Sequence, residues 1–310
     1  MAWVGANSYR TAHYPYSETD LELADEHGLL VVSESPCVGL SYADEPPVVT
    51  ARQAQALRAM RELLARDATR ACVVAWSVCN EPGGPKSVPT ADAKRQQTAA
   101  LLQLVGLAKS DASARPVTFA NIPEHCDEAN RACDFLSLNE CTSAAAGAPR
   151  TPACPQPPRT ISNQPSAPLP PLTGVAARGV VAHVRPPGVC ARVIDAGWYY
   201  DVGTPLASIG EQLEAKLRRV YAEFRKPIMI SECGADTLPG CHMMAPGLWS
   251  EEFQEALLLV YARLPTALPF VFGVHVWNLC DFRTPQMHIR AGGLNHKGRW
   301  EPPRSAGSKK

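Results

Sequence analysis

Short apolar runs alternate along the chain with longer stretches in which apolar residues recur every three or four positions. The runs are rich in valine, isoleucine and leucine, as is typical of strands buried on both faces of a parallel sheet. The longer stretches have the spacing of amphipathic helices that cover such a sheet. The pattern predicts seven strands, which lie at Asn7–Tyr14, Leu29–Ser33, within Cys72–Pro82, at Val117–Ala120, Phe135–Leu138, Ile228–Ser231 and Phe270–Trp277.

Helical patterns separate most of these strands. Ser17 is suited to cap the first helix and Gly28 to end it. Alternation of strands and helices predicts an α/β fold, and polar residues at many strand ends favour a (β/α)8 TIM barrel over an open sheet. A closed barrel of this kind has eight strands, so we expect the first strand and helix to be absent, with the gap before Met1. The predicted helices run over Ser17–Glu26, Val49–Arg66, Asp92–Lys109 and Ala207–Phe224, and a further one contains Phe253, Leu257, Val260 and Tyr261.

Two carboxylic acids follow apolar strands directly. The stretch C-V-V-A-W-S-V-C-N-E-P ends in Asn80 and Glu81, and I-M-I-S-E-C-G-A-D places Glu232 at the end of a later strand. Catalytic groups of α/β barrels are carried at this end of the strands. Two acids at one barrel mouth suit glycoside hydrolysis, in which one protonates the leaving oxygen and the other attacks the anomeric carbon. The alternatives are a loop-capping carboxylate for Glu81 and an ion pair with an arginine for Glu232.

Composition excludes several other classes of protein. The 310 residues carry 30 basic and 30 acidic side chains, so no net charge indicates binding to nucleic acid or to a membrane surface. No apolar run is long enough to span a bilayer, and the first residues lack the pattern of a signal peptide. The 11 cysteines form no C-x-x-C pair, so we expect free buried thiols and no metal site.

One segment differs from the rest in composition. From Thr142 to about Ile194 the chain is crowded with proline, alanine, serine and arginine and shows no periodicity. We predict a disordered insertion, either a true extension or a gene-model artefact. The expected organisation is a first part of the barrel at 1–141, the insertion at 142–194, a second part of the barrel at 195–302 and a disordered tail at 303–310.

Five ordered motifs resemble the catalytic barrel of family 2 glycoside hydrolases, and among them the β-glucuronidases. The motifs are N-S-Y-R-T-A-H-Y-P-Y, V-V-A-W-S-V-C-N-E-P, P-I-M-I-S-E-C-G-A-D-T-L-P-G-C-H, W-S-E-E-F-Q and V-W-N-L-C-D-F-R-T-P-Q. The resemblance implies retaining hydrolysis of β-D-glucuronides without metal or cofactor, with water as second substrate. It implies that Glu81 is the acid/base and Glu232 the nucleophile. The substrate-binding residues that it implies are Arg10, His13, Asn80, Tyr199 and Trp277.

The segment N-H-K-G, at Asn295–Gly298, bears on the choice of sugar. It resembles the N-x-K-G motif whose asparagine and lysine bind the sugar carboxylate in β-glucuronidases, although one residue near Leu294 is extra. An amide donor and a fixed ammonium suit an anionic sugar. Asn295 and Lys297 are therefore the expected carboxylate ligands, and Arg290 either joins them or orients the loop.

Two alternatives stay open at the level of sequence. A relative acting on neutral sugars, such as a β-galactosidase or β-mannosidase, would use the same two acids. A catalytically inactive fragment is the alternative from outside enzymology. Family resemblance alone implies a homo-oligomer, a tetramer, and a lysosomal or extracellular location; no partner other than the glucuronide is indicated, and the compartment is unknown.

Overall fold

The structure is a computed structural model that describes residues 1, 4–83, 88–121, 127–140, 206–285 and 290–298. The predicted insertion at 142–194 and the tail at 303–310 lie outside the described residues. Seven parallel strands form one sheet, and their order in the sheet is their order in the chain. The strands are β1 (Ser8–Arg10), β2 (Leu30–Glu34), β3 (Val73–Asn80), β4 (Val117–Asn121), β5 (Leu136–Asn139), β6 (Ile228–Glu232) and β7 (Val271–Val274).

Helices connect consecutive strands, as the alternating pattern predicts. Ser17 caps the first helix by accepting a hydrogen bond from the Asp20 N–H at 3.1 Å, and Gly28 ends it at a φ of 64°. Both local predictions are confirmed. The helices are α1 (Glu18–His27), α2 (Pro46–Asp67), α3 (Ala91–Lys109), α4 (Asp127–Ala132), α5 (Leu206–Phe224), α6 (Glu251–Ala262) and α7 (Leu264–Ala267).

The sheet is strongly curled. In a flat sheet, strand spacing would place β1 and β6 roughly 24 Å apart, and β1 and β7 roughly 29 Å apart. Instead Arg10 at the end of β1 forms an ion pair with Glu232 at the end of β6. The Ser8 hydroxyl also lies 2.9 Å from Nε2 of His275, which follows β7. The seven strands therefore follow most of the circumference of a (β/α) barrel, as predicted, and the carboxyl ends of its strands face a common centre.

Apolar side chains fill both surfaces of the curled sheet. One buried cluster joins β2–β4 to helices α1–α4, and a second joins β5–β7 to α5, α6 and α7. A third, smaller cluster unites Val32 and Ala75, on the neighbouring strands β2 and β3, with Phe135, just before β5, and Met229 on β6, which lie further along the sheet. These four side chains can meet only inside a curved sheet, so they close the barrel interior beneath the polar groups at its mouth.

Two predicted strands are shorter than expected. Strand β1 ends at Arg10, because His13 takes a φ of 77° that no strand continues. Strand β7 ends at Val274, three residues before Trp277. A two-stranded hairpin that the sequence pattern did not reveal follows: β8 (Phe282–Arg283) pairs with β9 (Leu294–Asn295). Leu294, near which the sequence predicts one extra residue, lies opposite Arg283 in this hairpin.

Cysteines in the described part of the chain are all free thiols, and five of the seven are buried. The prediction of free buried thiols is confirmed for those five, whereas Cys241 and Cys280 are free but only half-buried. Among the described helices, none has the length and apolar character needed to cross a bilayer.

Helix α3 offers a matched test of the core. Leu104 is 1% exposed in the cluster around β2–β4, whereas Leu102, two positions earlier, is 37% exposed. We expect Leu104→Ala to lower the free energy of unfolding by about 2–5 kcal/mol, because it removes buried methyl groups and leaves a cavity. Leu102→Ala should change it by less than about 1 kcal/mol. Denaturant unfolding followed by circular dichroism measures both; equal losses would contradict the arrangement of this helix.

Candidate active site

A buried arginine links two carboxylates at the mouth of the barrel. Nη1 of Arg10 donates to both carboxylate oxygens of Glu34, at 2.6 and 2.7 Å, and Nη2 forms an ion pair with Oε1 of Glu232. Glu34 also accepts from the Ser77 hydroxyl at 2.7 Å and from the His13 N–H at 2.7 Å. Glu34 is fully buried, so these donors supply the hydrogen bonds that water would otherwise make.

The two carboxyls bound by Arg10 differ in acidity. Burial acts to raise the pKa of Glu34, but the Arg10 charge and the hydrogen bonds from His13 and Ser77 outweigh it and hold this pKa below its ordinary value. Burial raises the pKa of Glu232 to about 7; Arg10 opposes this shift, and the charge of Glu81 adds to it. Glu34 is therefore a permanent anion, whereas Glu232 changes its protonation near neutral pH.

An amide network joins Glu81 to the same centre. Nδ2 of Asn139, at the end of β5, donates to Oε1 of Glu81 at 2.9 Å and to Oδ1 of Asn80 at 3.1 Å. Oδ1 of Asn139 accepts from the Ser231 hydroxyl at 2.8 Å, which fixes the orientation of the amide. Oδ1 of Asn80 also lies 3.5 Å from Nη1 of Arg10. Glu81 and Glu232 thus belong to one connected set of side chains.

The backbone at Glu81 turns out of the strand. Its φ is 42°, its N–H donates to the Ala120 carbonyl at 2.8 Å, and its side chain is only partly buried. The next turn is held by the Gln97 side chain of α3, which donates to the carbonyl oxygens of Pro82 and Gly83. Glu81 is therefore presented from a fixed backbone to a more accessible position than Glu232.

Aromatic side chains lie beside the carboxylates. The rings of His13 and Trp277 are 4.9 Å apart between centroids, and Trp277 also meets Phe282 edge-on at 5.8 Å. Trp277 is partly exposed and, with Ser8 and His275, lines a cavity of about 440 Å³ between β1 and β7. Burial lowers the pKa of His275 to about 3, so this histidine is neutral. Trp277 can offer an apolar face next to the acids.

The N-H-K-G turn packs against the loop that follows β6. Lys297 is 1% exposed, and its ammonium donates to the Gly234 carbonyl at 2.8 Å, two residues after Glu232. The Thr237 N–H donates to the His296 carbonyl at 2.9 Å, and the Asn278 N–H donates to the Lys297 carbonyl at 3.3 Å. The turn is thereby attached to the chain after both β6 and β7, at the same end of the barrel as the acids.

Asp236, in the loop after β6, contacts the basic side chains of this region. Oδ1 of Asp236 accepts from Nη1 of Arg290 at 3.2 Å and from the His296 N–H at 2.8 Å, and its Oδ2 lies 3.9 Å from Nζ of Lys297. Asn295 is buried, and its Oδ1 accepts from the Lys297 N–H at 3.1 Å. Asp236 thus links Arg290 to the backbone of the turn.

Two glycines allow the N-H-K-G turn and the loop after β6 to pack closely against the chain that follows β7. A Cβ added to Gly298 would overlap the backbone of Cys280 and Asp281, and one added to Gly234 would overlap the Trp277 carbonyl. The Gly298 N–H donates to Oδ1 of Asp281 at 2.8 Å. The last position of N-H-K-G thus has a packing reason to be glycine.

The structure brings most of the predicted residues to one end of the barrel. Arg10, His13, Asn80, Glu81 and Glu232 share hydrogen bonds or direct contacts, and Trp277 packs on His13. Tyr199 lies outside the described residues. Four participants were not singled out from the sequence: Glu34, Ser77, Asn139 and Asp236. Glu34 and Asn139 end strands β2 and β5, which is the signal that identified Glu81, whereas Asp236 lies four residues after the end of β6. In the described part of the chain, no group of three or more His, Cys, Asp or Glu side chains is arranged to hold a metal ion.

Comparison with known proteins places this geometry in a family. The sequence model described as "Glycosyl hydrolases family 2, TIM barrel domain" matches residues 1–145 and 182–299, well over half of the chain. The chain belongs to glycosyl hydrolase family 2. The matched ranges contain both acids, the Arg10 network and the N-H-K-G turn, so the site described above lies within the matched domain.

The similar proteins described next are all named β-glucuronidase. A β-glucuronidase of Paenibacillus borealis is 30% identical over 307 residues, and that of Mus musculus is 31% identical over 301 residues. The solved structure of Bifidobacterium dentium β-glucuronidase complexed with coumarin-3-O-glucuronide has a TM-score of 0.68 at 27% identity. That of Ruminococcus gnavus β-glucuronidase in complex with D-glucuronic acid has the same TM-score and identity.

These family 2 relatives are longer proteins. The matches cover 96% of this chain but 41% of the Paenibacillus and 36% of the mouse protein. For the two structures, the coverage is 97% of this chain and 38% and 41% of theirs. The chain therefore spans about two fifths of the length of its relatives.

The Arg10 bridge yields a prediction about stability. Arg10→Met would leave Glu34 and Glu232 buried without their cation, and we expect a loss of about 3–5 kcal/mol in the free energy of unfolding at pH 8. Both carboxyl pKa values would then lie above those of the unfolded chain. The variant should therefore bind protons on folding and lose less stability at pH 5 than at pH 8.

An exposed pair supplies the control for that experiment. Arg95 and Asp92 form an ion pair on α3, with side chains 73% and 65% exposed. Arg95→Met should change the free energy of unfolding by less than about 1 kcal/mol at either pH. Chemical denaturation at both pH values checks the two variants. An Arg10→Met loss that is the same at pH 5 and pH 8 would show that the buried carboxylates are not the cause.

Proposed function

We propose that this chain forms the catalytic barrel of a retaining β-glucuronidase, in which Glu232 is the nucleophile and Glu81 the acid/base. The observation that supports the proposal is the single hydrogen-bonded network containing both carboxyls, held at the mouth of the barrel by Arg10 and Asn139. Two carboxyl groups from different strands at one site are the requirement of double displacement at an anomeric carbon.

Glu232 suits the role of nucleophile. It is buried, and Arg10 holds one of its oxygens, so its position is fixed before substrate arrives. The ionised carboxylate attacks the anomeric carbon while the bond from that carbon to the leaving oxygen breaks. The product of this step is a glycosyl ester on Glu232. With a pKa of about 7, an appreciable fraction of Glu232 is ionised at neutral pH.

Glu81 suits the role of acid and base. Its partial exposure allows it to reach both the leaving group and water, and Asn139 holds one of its oxygens. Glu81 gives its proton to the leaving oxygen in the first step. In the second step it takes a proton from water, whose oxygen attacks the anomeric carbon and releases Glu232.

The remaining predicted residues would hold the sugar. Because Oδ1 of Asn80 faces Asn139 and Arg10, its NH₂ group is left to meet the hydroxyl beside the anomeric carbon. Trp277 would pack against the sugar ring, and His13 would form a hydrogen bond with the sugar. Tyr199 is expected to form a hydrogen bond with the nucleophile. Lys297 and Asn295, together with Arg290, would receive the sugar carboxylate. The relatives' names, and the D-glucuronic acid in one of their structures, support the glucuronide over a neutral sugar.

The two acids can be told apart by kinetics. Glu81→Gln should lower kcat/KM for 4-nitrophenyl β-D-glucuronide by about 10²–10⁴-fold, because leaving-group protonation is lost. The loss should shrink with 2,4-dinitrophenyl β-D-glucuronide, whose leaving group needs little help. Glu232→Gln removes the nucleophile, so its loss should be larger and the same for both substrates. Initial rates from released phenol measure all four values.

A surface variant is the control for these rates. Glu26→Gln changes an exposed residue of α1 and should leave both substrates within about twofold of the unchanged protein. Equal losses for Glu81→Gln with the two leaving groups would remove Glu81 from the role of acid. Hydrolysis of β-galactosides or β-mannosides in preference to β-glucuronides would establish the neutral-sugar alternative. Absence of all hydrolysis by a chain with a cooperative thermal transition would favour the inactive fragment.

Lys297 gives a separate prediction about the choice of sugar. Lys297→Met keeps the length and burial of the side chain but removes its charge. We expect kcat/KM for 4-nitrophenyl β-D-glucuronide to fall about 100-fold, the worth of about 3 kcal/mol from a charge-assisted hydrogen bond. The value for 4-nitrophenyl β-D-glucoside, which differs only at C6, should change little. Equal losses on the two substrates would mean that Lys297 only supports the fold.

A further inference from the structure

Asp236 occupies an unusual position for an acidic residue near a site for an anionic sugar. Its side chain is fully buried, only four residues after Glu232. A carboxylate in the open pocket would repel the sugar carboxylate. Asp236 instead accepts hydrogen bonds from Arg290 at 3.2 and 3.3 Å and from the His296 N–H at 2.8 Å, and the Lys297 ammonium lies 3.9 Å away as an ion pair.

Asp236 holds two side-chain cations. One carboxylate lies between two cations, because Arg290 and Lys297 both face it. A buried lysine is stable as a cation only where an opposite charge and hydrogen bonds replace water. Asp236 and the Gly234 carbonyl do this for Lys297. An incoming carboxylate would therefore meet two cations whose positions are already set.

The contacts of Asp236 also set where the cations lie. Its Oδ1 holds the backbone of His296, which is adjacent to Lys297, while the guanidinium of Arg290 contacts both of its oxygens. The carboxylate thus fixes one end of the N-H-K-G turn to the loop that begins at Glu232. The distance between the nucleophile and the cations that would receive the sugar carboxylate depends on this attachment.

We propose that Asp236 is a positioning residue for carboxylate recognition, which holds Lys297 and Arg290 as a preorganised pair of cations at a fixed offset from Glu232. The inference rests on the proposed function, in which those cations receive the C6 carboxylate of the sugar. Asp236 itself does not touch the substrate. Its removal should therefore affect binding of a charged sugar and spare a neutral one.

Binding rather than turnover tests this, because binding can be measured whether or not the chain hydrolyses anything. Sodium D-glucuronate and D-glucose, which differ at C6, are titrated into the unchanged protein and into Asp236→Asn. We expect the variant to lose at least tenfold in affinity for glucuronate and less than twofold for glucose. An unchanged affinity for glucuronate, or equal losses for the two sugars, would overturn the inference.

Asp281→Asn is the matched control. Asp281 also holds the turn, through the Gly298 N–H at 2.8 Å and Nδ1 of His296 at 3.3 Å, and Asn is again the isosteric replacement. If only the rigidity of the turn matters, both variants should lose glucuronate and glucose affinity in the same ratio. A ratio that changes in Asp236→Asn alone supports the role of its charge.

If Asp236→Asn does not show a cooperative thermal transition, the same titrations are made with Asp236→Glu. It keeps the charge but moves it by one methylene, so we expect a loss of about two- to tenfold for glucuronate and little change for glucose. A glutamate variant that loses both sugars equally would overturn the inference. The two proposals remain separable: glucuronate binding without hydrolysis refutes the proposed function alone, and no glucuronate binding by the unchanged protein refutes both.

Discussion

The contact on which the site depends is the guanidinium of Arg10 between Glu34 and Glu232. Arg10 lies on β1 and Glu232 on β6, five strands further along the sheet, so the ion pair between them forms only when the sheet has curled. Once formed, it leaves one cation between two buried carboxylates. Such a group costs much desolvation and is tolerated because nearly every oxygen has a donor. The curl of the sheet and the burial of these charged groups at the mouth of the barrel therefore depend on each other.

A second charged group mirrors the first. Around Asp236, one carboxylate lies between two cations, and only four residues separate Asp236 from Glu232. The first group has two carboxyl groups for one cation, and the second has two cations for one carboxylate. A glycosyl cation-like transition state needs negative charge near the anomeric carbon, while the C6 carboxylate, borne by C5 next to the ring oxygen, needs positive charge. Glu232 at the end of β6 and Asp236 in the loop after it connect the two groups over four residues of the chain.

The sequence predicted the elements well because each has a local cause. Strands β3 and β6 are nearly continuous apolar runs, and Ser17 and Gly28 determine the ends of α1 by side-chain capping and by backbone conformation. Candidate acids were visible because they end such strands. The prediction for β1 was too long because His13 adopts a left-handed backbone conformation, which propensity does not reveal. The hairpin β8–β9 has two residues in each strand and leaves no periodic signal.

Contacts between residues that are distant in the chain could not be predicted from the pattern of apolar and polar positions. Glu34 directly follows the predicted strand Leu29–Ser33, but its bond to Arg10 spans 24 residues and that of Asp236 to Arg290 spans 54. Asn139 and Ser231 gain their meaning only when β5 lies beside β6. Family resemblance supplied roles for Arg10 and Lys297 without showing that each is buried against carboxylates of the protein itself.

The contact between Ser8 and His275 has a consequence for how the barrel comes apart. Within the described residues, no backbone ladder joins β1 to β7, and this side-chain hydrogen bond links their edges directly. Backbone ladders on both sides make the central strands costly to open, whereas an edge strand has only one. Amide hydrogens of β1 and β7 should consequently exchange with solvent sooner than those of β3 and β4, so that transient openings begin along this seam and reach Arg10 first.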